Sequence, residues 1–314
     1  MLNYSYYFSQ PSSLKLCMDM MYDDSTNYDM ALVGPSTVYS GYSTEVLDEK
    51  LGTNSIILST EGMLSCDAYI LIEEFLKNNQ AKYVVLDVEP DYYIGKDLYN
   101  STASNTTRMV LGTVKPSLSK ICFQLAMIVK RPKVLGDFLV CDFNPIRLLP
   151  GQYEKYNNWN TVKLMYSHYI LGNKGERYTE GSGSYEDLED FKLERDMNIR
   201  MKIAFDYTEK IAEVCKKNDA KLLLVTSSPS DAYVNAYPDY KKFHDTMEEF
   251  ASGMDVEYWD FAYASPQLWK RNVDNWSDAV HLSRQGAYEF SEALAKIMYM
   301  WEDEENNENV FDES

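Results

Sequence analysis

The sequence predicts an α/β fold: a three-layer sandwich around a five-stranded parallel sheet, with an inserted cap region. Short apolar runs end abruptly at turn residues, as strands buried on both faces do. Stretches with apolar residues at helical spacing alternate with them. Over residues 28–90 the order is strand, helix, strand, helix, strand, which implies parallel pairing through right-handed crossovers.

The first strand is Tyr28 to Val33, ending at Gly34. A helix from Ser43 to Leu51 follows, closed by Gly52, a residue suited to a left-handed C-terminal stop. Ser55 to Leu58 is the second strand, Met63 to Leu76 a helix, and Tyr83 to Val88 the third strand, halted by Pro90. The rhythm resumes with a long helix from Leu193 to Asn218. Lys221 to Thr226 is the fourth strand, and a helix spans Tyr240 to Ser252. Val256 to Phe261 is the fifth strand, and a last helix reaches Trp301 from an N-cap at Ser283. Residues 91–192 break the pattern. Apart from an amphipathic helix over Ser117 to Val129 they are rich in Tyr, Asn, Gly and Ser, and are read as a cap over the site. Residues 1–27 form a polar, Tyr-rich N-terminal segment, 28–301 the α/β domain with its insertion, and 302–314 an acidic tail whose composition predicts disorder.

Composition narrows the function. Of 314 residues, 45% are hydrophobic, enough for a sizeable core. The net charge of −19 argues against nucleic-acid partners and against attraction to an anionic membrane surface. Five cysteines (Cys17, Cys66, Cys122, Cys141 and Cys215) with no CxxC spacing read as buried free thiols. Three histidines (His168, His244 and His281) without a His-x-x-x-His pair argue against a metal site, and no cofactor is implied. No GxGxxG or GxxxxGK[ST] motif is present to cradle phosphates. Glu89 and Asp91 are an isolated carboxylate pair with no second element of glycoside chemistry around them. No stretch approaches the ~18 apolar residues of a membrane span, and nothing reads as a leader peptide.

Two blocks carry chemistry. Val33-Gly34-Pro35-Ser36-Thr37 puts a serine just beyond the carboxyl end of the first strand, where open α/β sheets bind ligands. Read alone, Ser36 is more readily a cap for the next helix. Trp276-Ser277-Asp278-Ala279-Val280-His281-Leu282-Ser283, with Gly286 and Ala287 after it, puts a carboxylate and an imidazole three residues apart on one turn. Asp278 can then hold one ring nitrogen of His281 and leave the other as a general base.

Together the blocks resemble the SGNH, or GDSL-like, hydrolase superfamily. Its members have a flavodoxin-like sheet, a serine after the first strand, and an Asp-x-x-His before the last helix. The resemblance implies Ser36 as nucleophile, His281 as base and Asp278 as its partner. The run Asp278-x-x-His281-Leu282-Ser283-x-x-Gly286-Ala287 is most similar to relatives acting on cell-envelope polymers, the D-alanine-transfer and alginate O-acetyl-transfer proteins. That branch implies an acylated carbohydrate or other ester substrate and envelope-biosynthesis partner proteins. It also implies work outside the cytoplasm behind an N-terminal anchor, which this sequence does not display; without one the location is cytoplasmic. The family's oxyanion hole draws on the serine N–H and a glycine after the second strand, here Gly62, plus an asparagine after the third. That asparagine is missing: the chain reads Asp87-Val88-Glu89-Pro90-Asp91. Asn144 is a conceivable replacement, and Ser227, at the end of the fourth strand, a further substrate contact. The expected activity is that of a serine esterase or O-acyltransferase. The alternative is a weakened SGNH-fold binding or scaffold protein.

Overall fold

The computed structural model describes residues 12–95, 103–130, 158–179, 196–227 and 229–303. Helix α1 (Ser13–Met21) buries Leu14, Cys17, Met18 and Met21, one face at i, i+3, i+4 and i+7 spacing. Strand β1 (Met30–Gly34) leads through a tight turn into the short α2 (Ser36–Gly41), then α3 (Thr44–Leu51) and β2 (Ser55–Ser59). Helix α4 (Ser65–Asn78), β3 (Tyr83–Asp87), the single turn α5 (Pro90–Tyr93) and β4 (Ile94–Gly95) follow. The insertion supplies α6 (Ala103–Thr113), α7 (Leu118–Lys130), α8 (Trp159–Met165) and a small hairpin, β5 (Ile170–Leu171) with β6 (Arg177–Tyr178). Strand β7 (Asp196–Arg200), α9 (Lys202–Lys217), β8 (Lys221–Thr226), α10 (Asp231–Ala236), α11 (Tyr240–Gly253), β9 (Glu257–Asp260) and α12 (Arg284–Glu302) complete the chain.

The central sheet is parallel, in the order β2-β1-β3-β8-β9. Its side chains alternate between two apolar layers. Ala31, Val33, Val84, Leu86, Leu222 and Leu224 face one layer with α4, α9 and α11. Met30, Leu32, Val85, Leu223 and Val225 face the other with α12, where Phe290 and Leu294 are fully buried. Burial on both faces explains why these strands read as unbroken apolar runs. The chain crosses from β1 to β2 on one side and returns to β3 on the other. The crevice at the carboxyl ends of β1 and β3 is therefore the topological switch point, where ligands bind in open sheets.

Several elements differ from the sequence reading, among them α2, β4, and α6, α8 and the β5–β6 hairpin of the insertion. The N-terminal segment contains α1, which packs on β2 and α6. Its buried Lys15, ion-paired with Asp19, interrupts an otherwise readable apolar face. The helix expected from Leu193 begins only at Lys202. Before it, β7 pairs antiparallel with β4, and Met197 is its one buried residue. Helix α10 was not foreseen. Among the described residues no helix is long and apolar enough to cross a membrane.

Candidate active site at the β1–β3 switch point

Gly34 is where the site begins. Its φ is +156°, and a Cβ there would stand 2.7 Å from Val38 Cγ2 and 2.8 Å from Asp87 Cβ. Only glycine lets β1 turn this closely against β3. Pro35 then occupies the N-cap of α2 without donating or accepting through a side chain. Its carbonyl accepts a hydrogen bond from the Ser59 hydroxyl at the end of β2. Ser36 is the first helical residue, and Ser40 Oγ donates to its carbonyl at 2.8 Å.

Below this turn lies Asp87. Its Oδ1 accepts from Thr37 Oγ1 at 3.1 Å, and its Oδ2 accepts from Tyr42 Oη at 3.1 Å and from the Ser227 N–H at 3.3 Å. Burial pushes the Asp87 carboxyl up to about 6, although these donors pull the other way. Ser227, expected as a substrate contact, is buried, and its bonds go to Asp87.

The second block is held just as tightly. Asp278 Oδ1 accepts the backbone N–H groups of Val280 at 2.9 Å and His281 at 2.8 Å. Ser277 N–H donates to the His281 carbonyl at 2.8 Å, closing the turn. Ser283 caps α12 by accepting from the Gly286 N–H at 3.1 Å, and its own N–H donates to the Asn275 carbonyl. A Cβ on Gly286 would lie 1.9 Å from that carbonyl oxygen, which is why a glycine follows three residues after Ser283.

These two blocks meet. His281 Nδ1 lies 2.7 Å from Asp278 Oδ2, and His281 Nε2 lies 2.7 Å from Ser36 Oγ. With Nδ1–H donating to the carboxylate, the unprotonated Nε2 accepts the serine hydroxyl hydrogen. Burial alone would raise the Asp278 carboxyl. The hydrogen bond and charge of His281, with the two backbone donors, outweigh it and hold the carboxyl below the ordinary aspartate range. The imidazole is partly open to solvent, at 30% exposure, so a ligand has access.

Gly62 follows β2 in a left-handed turn at φ +63°, beside Thr106 and Tyr92. The peptide joining it to Glu61 is fixed at its carbonyl end, which accepts from Thr106 Oγ1 at 3.2 Å. Carbonyl and N–H point opposite ways in a trans peptide, so Thr106 aims the Gly62 N–H away from itself. The Glu61 side chain is ion-paired to Arg177. Burial favours the neutral acid here, but Arg177 overrides it and keeps the Glu61 carboxyl low. The Arg177 guanidinium is buried, 3.6 Å above the Tyr39 ring, and Tyr39 in turn interacts with Ser36.

Asn144 lies outside the described residues. Sequence reasoning passed over Tyr39, Asp87, Tyr92, Thr106 and Arg177. Thr106 and Arg177 come from the insertion, whose irregular composition carries no periodic signal. Asp87 could have been found: an acid ending an otherwise apolar buried strand needs partners. Among the described residues no cluster of His, Cys, Asp and Glu suits a metal ion.

The fold and these contacts define an open α/β domain in which Ser36, His281 and Asp278 form a hydrogen-bonded row at the switch point. No family model and no curated protein matches the chain. Among solved structures it is similar to a protein of Streptococcus pneumonia provisionally assigned as a platelet activating factor, at 13% identity, with 91% of each chain covered and a TM-score of 0.43. A GDSL-like lipase from Bacteroides thetaiotaomicron is similar at 12% identity over 91% of this chain and 97% of that one, TM-score 0.39. A protein from Bacteroides fragilis provisionally assigned as an acylhydrolase is similar at 11% identity over 90% and 92%, TM-score 0.39. Likenesses this distant leave the reaction to be argued from the residues.

Proposed function

We propose that the protein is a serine esterase or O-acyltransferase with Ser36 as nucleophile, His281 as general base and then acid, and Asp278 as the group that orients and charges-balances the imidazole. The observation that carries the reading is the pair of 2.7 Å contacts linking Ser36 Oγ, His281 and Asp278. Their two halves lie 245 residues apart in sequence. A helix-capping serine would point at its own backbone; this one points at an imidazole.

The reaction follows from acyl-transfer chemistry. His281 Nε2 takes the Ser36 proton as Oγ bonds to an ester carbonyl carbon, and the carbonyl electron pair moves onto oxygen. The N–H groups of Ser36 and Gly62 hold that oxyanion. As it collapses, the carbon–oxygen bond to the alcohol breaks, and His281 returns the proton to the leaving oxygen. A second hydroxyl, from water or from a sugar, then releases the acyl group by the same steps in reverse.

The substrate is an acylated carbohydrate or envelope polymer, a reading that rests on the resemblance of the Asp278-to-Ala287 run. A −19 chain carrying a partly solvated site suits a neutral or cationic polar ester better than an anionic one. Ser36→Ala tests the assignment with a short-chain aryl ester. Loss of at least a thousandfold in turnover is expected, with an unchanged circular dichroism spectrum. Undiminished turnover would remove Ser36 from the mechanism and leave a binding or scaffold role on this fold.

A further inference from the structure

The oxyanion hole just described has two donors and lacks an asparagine after β3. Residues leaving β3 nevertheless reach it. Strand β3 ends at Asp87, and the chain makes one helical turn over Pro90–Tyr93. Tyr92 from that turn lies over Gly62: its hydroxyl oxygen is 3.8 Å from where a Gly62 Cβ would stand. Tyr92 also feels Tyr39, which contacts Ser36. The hydroxyl therefore lies beside the glycine whose N–H would hold the oxyanion.

Two further facts concern its chemistry. The Tyr92 hydroxyl makes no hydrogen bond to any described residue, although the ring is packed against the core. Neighbouring hydroxyls are committed: Thr106 donates to the Glu61 carbonyl, Tyr42 to Asp87, and Tyr237 to Asp91. The uncommitted Tyr92 O–H is not among the buried unsatisfied atoms, so it is open to solvent and free to donate to a ligand oxygen. Burial, with the nearby Glu89 and Asp91 carboxyls, also pushes its ionisation far above neutrality, so it stays a donor at any working pH.

We infer that Tyr92 is a catalytic residue, its hydroxyl being the third donor to the oxyanion in place of the missing asparagine. The inference rests on the proposed Ser36 chemistry. When Oγ bonds to the carbonyl carbon, the oxygen gaining the electron pair accepts hydrogen bonds from the N–H groups of Ser36 and Gly62 and from Tyr92 O–H. The tyrosine keeps its proton throughout. It releases the oxygen when the carbonyl re-forms and the carbon–oxygen bond to the leaving alcohol breaks.

Tyr92→Phe removes one oxygen atom that has no described protein partner, so folding should be intact. Steady-state hydrolysis of an aryl acetate should show kcat falling about a hundredfold or more with KM changed less than threefold, because the donor acts only on developing charge. Phosphonylation by a fluorophosphonate should slow by a similar factor, since the phosphonyl oxygen uses the same hole. Thermal unfolding of the variant should match the parent. Parent-like kcat and phosphonylation rate in Tyr92→Phe, with the parent itself reactive, would overturn the role of Tyr92 alone. A parent that neither hydrolyses the ester nor is phosphonylated would overturn the proposed function, and this inference with it.

Discussion

Replacing Asp87 by asparagine should change how stability depends on pH, by an amount the structure sets. The Asp87 carboxyl is buried and titrates at about 6, against about 3.9 for an unperturbed aspartate. A carboxyl raised in this way binds its proton more tightly when folded. Its contribution to stability is complete below about pH 4 and is lost as pH rises through 6. The gap corresponds to about 3 kcal/mol over the whole titration, of which about 2 kcal/mol falls between pH 4.5 and 7. Asparagine does not titrate, so the parent should lose about 2 kcal/mol relative to Asp87→Asn across that window, whatever their offset. Urea unfolding at half-unit pH steps reads this directly. A difference that stays flat, or moves in the parent's favour as pH rises, would refute the reasoning. It would mean that Thr37, Tyr42 and Ser227 hold the carboxylate ionised despite its burial.

Two other perturbations probe the site's surroundings. Burial and the nearby Asp91 and Asp87 raise the Glu89 carboxyl to about 8, so it is neutral at pH 7 and places a negative charge beside Tyr92 above pH 8. Ester turnover should therefore decline as pH rises through 8, reaching roughly tenfold loss at pH 9 if only the neutral form works; Glu89→Gln should abolish that limb, and an unchanged limb in the variant would exclude Glu89 as its source. Gly286→Ala forces a Cβ into the Asn275 carbonyl, an overpacking that should cost about 2–3 kcal/mol, visible as a drop in melting temperature. Because Asn275 also anchors Ser283, two residues beyond His281, turnover should fall further than stability; parent-like behaviour on both counts would contradict the packing argument.

What was legible in the sequence follows from how local each signal is. The sheet strands announce themselves because burial on both faces forces unbroken apolar runs such as Leu222 to Val225. The Asp278 and His281 turn is compact enough that its spacing, cap and Gly286 all fall within ten residues, and each has a local steric or hydrogen-bonding reason. Ser36 was marked by its place after an apolar strand and a glycine that only a close strand-to-helix turn needs.

Other parts depend on partners far along the chain. Helix α1 has a regular apolar face, but Lys15 within it reads as a solvent-facing charge unless its pairing with Asp19 is known. Strand β7 looks helical until β4, a hundred residues earlier, supplies its hydrogen bonds. Arg177 reads as one charge among many in a Gly- and Ser-rich stretch; only folding brings it over Tyr39 and against Glu61. Tyr92 is one of 26 tyrosines, and nothing nearby in sequence distinguishes it. Its position over Gly62 is a property of the β3 exit, which sequence alone reduces to the absence of an asparagine.

The central claim is that the Ser36 hydroxyl is activated by His281. Incubating the protein with a fluorophosphonate at neutral pH and mapping the adduct by peptide mass spectrometry tests it most directly. The account predicts one phosphonyl group per chain, on Ser36, and none when His281 is replaced by alanine. An unmodified chain, or an adduct on another residue, would contradict it.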